Sequence, residues 1–98
     1  MFPAGSENLV REVALAVLRF CEEYCTDDAK TVVIKAGNIR KYTSIRSCAM
    51  VGSVLKEIMQ MLEKHGLVQI RKTATCYKYI MKCRDLPKLQ DRLLQLLA

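Results

Sequence analysis

The chain has 98 residues, about half of them apolar, with sixteen basic and ten acidic side chains and a net charge of +6. That length makes one domain with a small core and little spare apolar area. No apolar run approaches membrane-spanning length, and residues 1–5 lack the basic start of a secretion signal, so an intracellular protein is expected.

Ser6 is a capping residue, and Glu7 puts a carboxylate in a first helical turn, where the dipole favours it. Val10, Val13, Ala14, Val17, Cys21 and Tyr24 then recur at helical spacing, which predicts a first helix over 6–25. Arg11, Glu12, Arg19, Glu22 and Glu23 make its wet side, with Leu15 as an apolar exception, and Thr26-Asp27-Asp28 ends it. Residues 31–35 are too few for a helix and are β-branched, so they form a strand.

A shorter helix over 37–42 follows, then a turn through Thr43 to Ser47, where Ser44 and Ser47 both offer a hydroxyl to the amides of a new helix. Over 47–65, Val51, Val54, Leu55, Ile58 and Leu62 form a core-facing stripe. Ala49, Ser53, Lys56 and Gln60 fall on the opposite, outer side. Two helices joined by three or four residues, the second with a polar outer face, make a helix-turn-helix. Gly66 supplies the left-handed residue that ends helices. Residues 67–72 and 75–82 then alternate as two strands around a tight turn near Thr73-Ala74. Asp85 can cap a last helix over 85–98, with Pro87 tolerated in its first turn and a stripe of Leu86, Leu89, Leu93, Leu96 and Leu97.

This order resembles the winged helix-turn-helix family over residues 7–82. Its most specific element, Lys64-His65-Gly66-Leu67-Val68, is similar to the helix-to-hairpin junction of MarR-type and related small archaeal regulators. Small winged-helix proteins of hyperthermophilic archaea and their viruses are the nearest likeness. The tip Thr73-Ala74-Thr75 departs from the Gly or Asp that such regulators often carry. The resemblance implies an α+β fold, α-β-α-α-β-β-α, with a three-stranded antiparallel sheet: first helix 6–25, strand and helix-turn-helix 31–65, wing 67–82, terminal helix 85–98. It implies sequence-specific binding of double-stranded DNA as a transcription regulator.

Charge clustering agrees with that expectation. Residues 1–28 hold six acids and two bases, whereas 29–56 and 64–84 each hold six Lys or Arg and no acid. Two acid-free basic blocks are an electrostatic footprint for a polyanion. On the second helix and turn, Arg40, Lys41, Tyr42 and Arg46 are expected to hold phosphates. Ser47, Ala49, Ser53, Lys56 and Gln60 are expected along the base-reading side, although Ser47 serves equally as a plain cap. Arg71, Lys72, Thr73 and Thr75 on the wing are expected to reach flanking phosphate or the minor groove. Tyr77 and Tyr79 share one strand face and are expected to pack in the sheet. Gly52 weakens its helix, and either a neighbouring helix or a DNA backbone comes close there.

Other classes are disfavoured. The single histidine, His65, sits at a helix end, no glycine-rich phosphate loop is present, and no cofactor, small-molecule ligand or enzyme activity is expected. The cysteines, at 21, 25, 48, 76 and 83, lack zinc-site spacing. They are small buried hydrophobes, or one disulfide joins Cys21 or Cys25 to Cys76 or Cys83. A winged-helix adaptor within a larger nucleic-acid-processing assembly is the alternative function. Finally, the Leu86, Leu89, Leu93, Leu96 and Leu97 stripe looks too large for so small a core. The expectation is a homodimer closed by the terminal helices, binding an inverted repeat; the alternative is that the last helix folds back on its own first helix and the protein is a monomer.

Overall fold

The computed structural model describes residues 7–26 and 30–97. The expected Ser6 cap, the Asp27-Asp28 stop and the side chain of Leu97 lie outside the described residues. Four α-helices and an antiparallel sheet of three strands make an α+β fold.

Helix α1 (Glu7–Tyr24) buries Val10, Val13, Ala14, Val17, Leu18, Phe20 and Cys21 on one side, the stripe that its sequence period dictates. Tyr24 departs from that stripe and is 53% exposed, because the packed layer ends one turn earlier. Strand β1 (Thr31–Ile34) alternates, with Val32 and Ile34 inward and Thr31 and Val33 outward. It leads into α2 (Ala36–Arg40), of which Ile39 is the buried anchor.

Seven residues, 41–47, separate α2 from α3 (Cys48–Lys64), more than the three or four expected. The reason is where the hydroxyls go. Thr43 donates to the Arg40 carbonyl and accepts from the Ile45 amide, while Ser44 is drawn to Glu12 of α1. Only Ser47 caps, its hydroxyl accepting from the Met50 amide at 3.2 Å. Helix α3 buries Val51, Val54, Leu55, Ile58, Met59 and Leu62.

The end of α3 is a Schellman motif. Gly66 takes φ 73°, its amide donates to the Glu63 carbonyl at 2.9 Å, and the Leu67 amide reaches back to Leu62 at 3.0 Å. Leu67 and Val68, expected as strand, are buried in the connection. Strands β2 (Gln69–Lys72) and β3 (Tyr77–Lys82) pair from Gln69↔Ile80 to Lys72↔Tyr77. Strand β1 joins the far side of β3, from Thr31↔Lys82 to Ile34↔Tyr79, giving the order β1-β3-β2. The inward residues Tyr79 and Met81 are buried in the core.

The hairpin tip turns without glycine. Among the described residues no non-glycine takes positive φ, so the mirror-image turns of two-residue hairpins are absent. Instead, Thr73 Oγ1 donates to the Cys76 carbonyl at 2.9 Å and accepts the Cys76 amide at 3.1 Å. That hydroxyl supplies the turn's polar closure.

A single 3-10 turn, Cys83–Asp85, precedes α4 (Leu86–Leu97). Cys83 is bonded to Cys25, with the Cα atoms 5.4 Å apart, so the start of α4 is stapled to the end of α1. Of the pairings open in the sequence, this is the one formed, and Cys21 is left as a buried thiol.

Helix α4 covers part of its own leucine stripe. It packs on α1, Leu89 and Leu93 are fully buried inside the protomer, and Leu86 and Leu96 are half-buried against the same core. Leu89 and Leu93 are therefore covered in cis, while Leu86 and Leu96 keep part of their surface exposed. The staple and the Gln90–Glu22 hydrogen bond at 3.2 Å set the two helices alongside.

Candidate nucleic-acid interface

The acids of α1 do more than wet a surface. Glu12 accepts both the amide and the hydroxyl of Ser44, and Glu23 accepts the Tyr42 hydroxyl. Together they hold the 41–47 connection against α1. The Ser44 hydroxyl, and then its amide, pull the Glu12 pKa below the ordinary carboxylate value. The Glu23 carboxylate pushes the Tyr42 phenol up to about 12, since it stabilises the protonated, donating form. Tyr42 also stands edge-on to Phe20, with ring centroids 6.2 Å apart. Its one donor is thus committed inside the chain, which removes the expected phosphate contact through that hydroxyl.

The other expected residues divide between two neighbouring places. At the N-terminus of α3, Arg40, Lys41 and Arg46 are exposed. Arg40 Nη1 donates to the Arg46 carbonyl at 3.2 Å and to Cys48 Sγ at 3.0 Å. A guanidinium has five donors, so others remain free for a ligand. Ala49, Ser53 and Gln60 line the exposed side of α3 as its period requires. Glu57 is exposed on the same side, a carboxylate that the outer-face reading overlooked and that the spacing from Ser53 and Gln60 could have shown.

The second place is a groove between α3, the start of α2 and the hairpin, with a volume of about 540 Å³. One wall is small: Ala36 and Gly37 from α2, Ala49 and Gly52 from α3. Opposite stand Cys76, Tyr77 and Tyr79. Lys35 and Lys56 supply the charge, and Asn38 and Ser53 the neutral polar groups. Lys56, expected to reach guanine or a phosphate, places Nζ over the Tyr77 ring at 5.1 Å, and Lys72 approaches the same ring at 5.7 Å. The Lys56 contact pins the middle of α3 to the hairpin, and the Lys72 contact lies within the hairpin itself. Tyr77 and Tyr79 lie parallel with centroids 6.3 Å apart, and Tyr79 is buried, as sheet packing predicts. Burial raises the Tyr79 pKa, and Tyr77 beside it adds to the effect.

On the hairpin, Arg71, Lys72 and Thr75 are exposed, whereas the Thr73 hydroxyl is spent on the turn. That hydroxyl also lies 3.3 Å from Cys76 Sγ. It lowers the Cys76 pKa, helped by the charges of Lys35 and Lys78. Ser47 is the helix cap. Lys35, Asn38, Cys76 and Tyr77 were not singled out from the sequence for this site. The signal for Lys35 was present, since it belongs to the first acid-free block. Cys76 and Tyr77 are brought in only by the approach of the hairpin to α3, and Asn38 only by the packing of α2 on α3.

Among the described residues no group of three or more His, Cys, Asp or Glu side chains comes together, and no polar or charged side chain is buried. The groove is open, cationic and lined with rings and small residues. Comparison with models of known families, with curated proteins and with solved structures finds no match.

Proposed function

We propose that this chain is a winged helix-turn-helix domain that binds double-stranded DNA as a transcription regulator, with α3 as its recognition helix and the β2–β3 hairpin as its wing. The observation that carries the reading is the gathering of cations around one helix, all of them exposed except the half-buried Lys56. Arg40, Lys41 and Arg46 stand at the start of α3, while Lys56, Arg71 and Lys72 stand along α3 and the hairpin beside it. They come from blocks of 28 and 21 residues without a single acid. A polyanion with two backbone strands fits this distribution.

In this reading Ala49, Ser53 and Gln60 face base edges, Gln60 suiting adenine and Ala49 a thymine methyl, with Glu57 accepting from cytosine. The cations, Lys56 now among them, take phosphates. The inverted-repeat expectation rested on a bare leucine stripe. With Leu89 and Leu93 buried within the fold, that support narrows to the half-buried Leu86 and Leu96, and the proposal is of one domain on one duplex site.

Duplex binding measured against salt tests the proposal. Six phosphate contacts correspond to a slope of about −5 in log K against log salt. Gln60→Ala should erode discrimination between sequences, a good base contact being worth about 1–3 kcal/mol. Arg71→Ala should weaken all duplexes alike. No duplex binding at about 50 mM salt would overturn the reading and favour the adaptor.

A further inference from the structure

The groove beside α3 contains two glycines that the fold does not explain. Gly37 and Gly52 both lie inside helices, where glycine weakens the helix relative to alanine. Neither takes the positive φ that would require glycine. A Cβ built on Gly37 meets no atom within 4 Å, and one built on Gly52 meets only the Ala36 Cβ, at 3.7 Å, which is ordinary contact. Close packing of α2 on α3 therefore does not demand glycine at either position. Both project their missing side chains into the same groove, faced by Lys35 and Lys56.

We propose that this groove clasps one sugar–phosphate strand of the duplex, with Gly37 and Gly52 kept bare so that the strand lies against the helix backbones, and with Lys35 and Lys56 as its phosphate partners. The inference rests on the DNA-binding reading above and deepens it. It assigns the strand's path, names Lys35 as a contact, and resolves the role of Gly52 in favour of a ligand. Glycine is the residue that permits close backbone approach, and two cations meeting one anionic strand offset its charge. The Tyr77 ring holds the Lys56 ammonium in place, 5.1 Å from its centroid, so this phosphate partner is oriented before the strand arrives.

The test uses the full chain and a duplex that it binds, and reads stability and affinity together. Gly52→Ala should raise Tm by about 4–8 °C, through helix propensity in a chain of this size. The same variant should weaken duplex binding about tenfold, the scale of one lost charge-assisted contact. Gly37→Ala should likewise weaken binding without lowering Tm. Lys35→Ala should reduce the salt slope by about 0.9, one phosphate. The opposed signs separate this role from a structural one, because a variant that is harder to unfold yet binds more weakly has lost space and not fold. A wild type that binds while Gly52→Ala binds equally well overturns the clasp and leaves the DNA-binding reading standing. A Gly52→Ala chain that melts lower than wild type shows that packing requires the glycine, and it too overturns the clasp. A wild type that binds no duplex overturns both.

Discussion

Reducing the Cys25–Cys83 bridge should be the most damaging mild perturbation of this protein. The bridge joins residues 58 apart in sequence, and it ties the end of α1 to the start of α4. Closing a loop of that size removes enough entropy from the unfolded chain to stabilise the fold by about 4 kcal/mol at 25 °C. A chain of 98 residues unfolds with an entropy of about 0.2 kcal/mol per kelvin near its midpoint. The bridge is therefore worth about 20 °C in Tm. The assay is a circular dichroism melt of oxidised and fully reduced protein, repeated with the Cys25→Ala, Cys83→Ala double variant. Thiol titration in denaturant should find three free thiols before reduction, from Cys21, Cys48 and Cys76, and two more after it. Titration in the folded state should spare Cys21, since burial, and secondarily the Glu22 charge, push its pKa up to about 12. A reduced protein that melts within about 5 °C of the oxidised one would refute the entropic argument. Five thiols before reduction would refute the bridge itself.

Three further outcomes are expected. Gly66→Ala should destabilise by about 1–2 kcal/mol, because φ 73° puts any Cβ against the neighbouring carbonyl; urea titration checks it, and the sign is opposite to that of Gly52→Ala. Leu89→Ala, at a fully buried α4 position, should cost about 2–5 kcal/mol, as a urea titration would show. The Glu12 pKa is depressed in the folded state from an ordinary value of 4.5, so its contribution is full above that value and is lost as pH falls through the lower folded one. Glu12→Gln should therefore flatten the acid limb of Tm against pH, and an unchanged limb would show that the Ser44 contacts do not contribute.

Much of this fold is legible in local sequence. The Val51, Val54, Leu55, Ile58 and Leu62 spacing names the buried side of α3 before any partner is known. Gly66 marks its end, since a positive φ is a property of one residue. The alternation in β1 and β3 assigns Val32, Ile34, Tyr79 and Met81 to one face of a sheet. The acid-free blocks draw attention to the side of the molecule where the candidate interface lies.

What the tertiary structure decided is everything that depends on which surface meets which. The leucines of α4 announce a stripe, but only the docking of α4 on α1 shows that the chain covers Leu89 and Leu93 itself. Cys25 lies one turn beyond Cys21, just past the end of α1, and only the meeting of that end with residue 83 selects Cys25. Glu12 and Glu23 read as solvated charge until the 41–47 connection folds over them and occupies them with Ser44 and Tyr42. Lys56 reads as an outward cation until the hairpin brings Tyr77 beneath it. Periodicity, capping and handedness are set within a few residues of backbone, so a sequence displays them directly. The partner of a side chain is set by contacts between segments far apart in the chain, and those exist only once the core has closed.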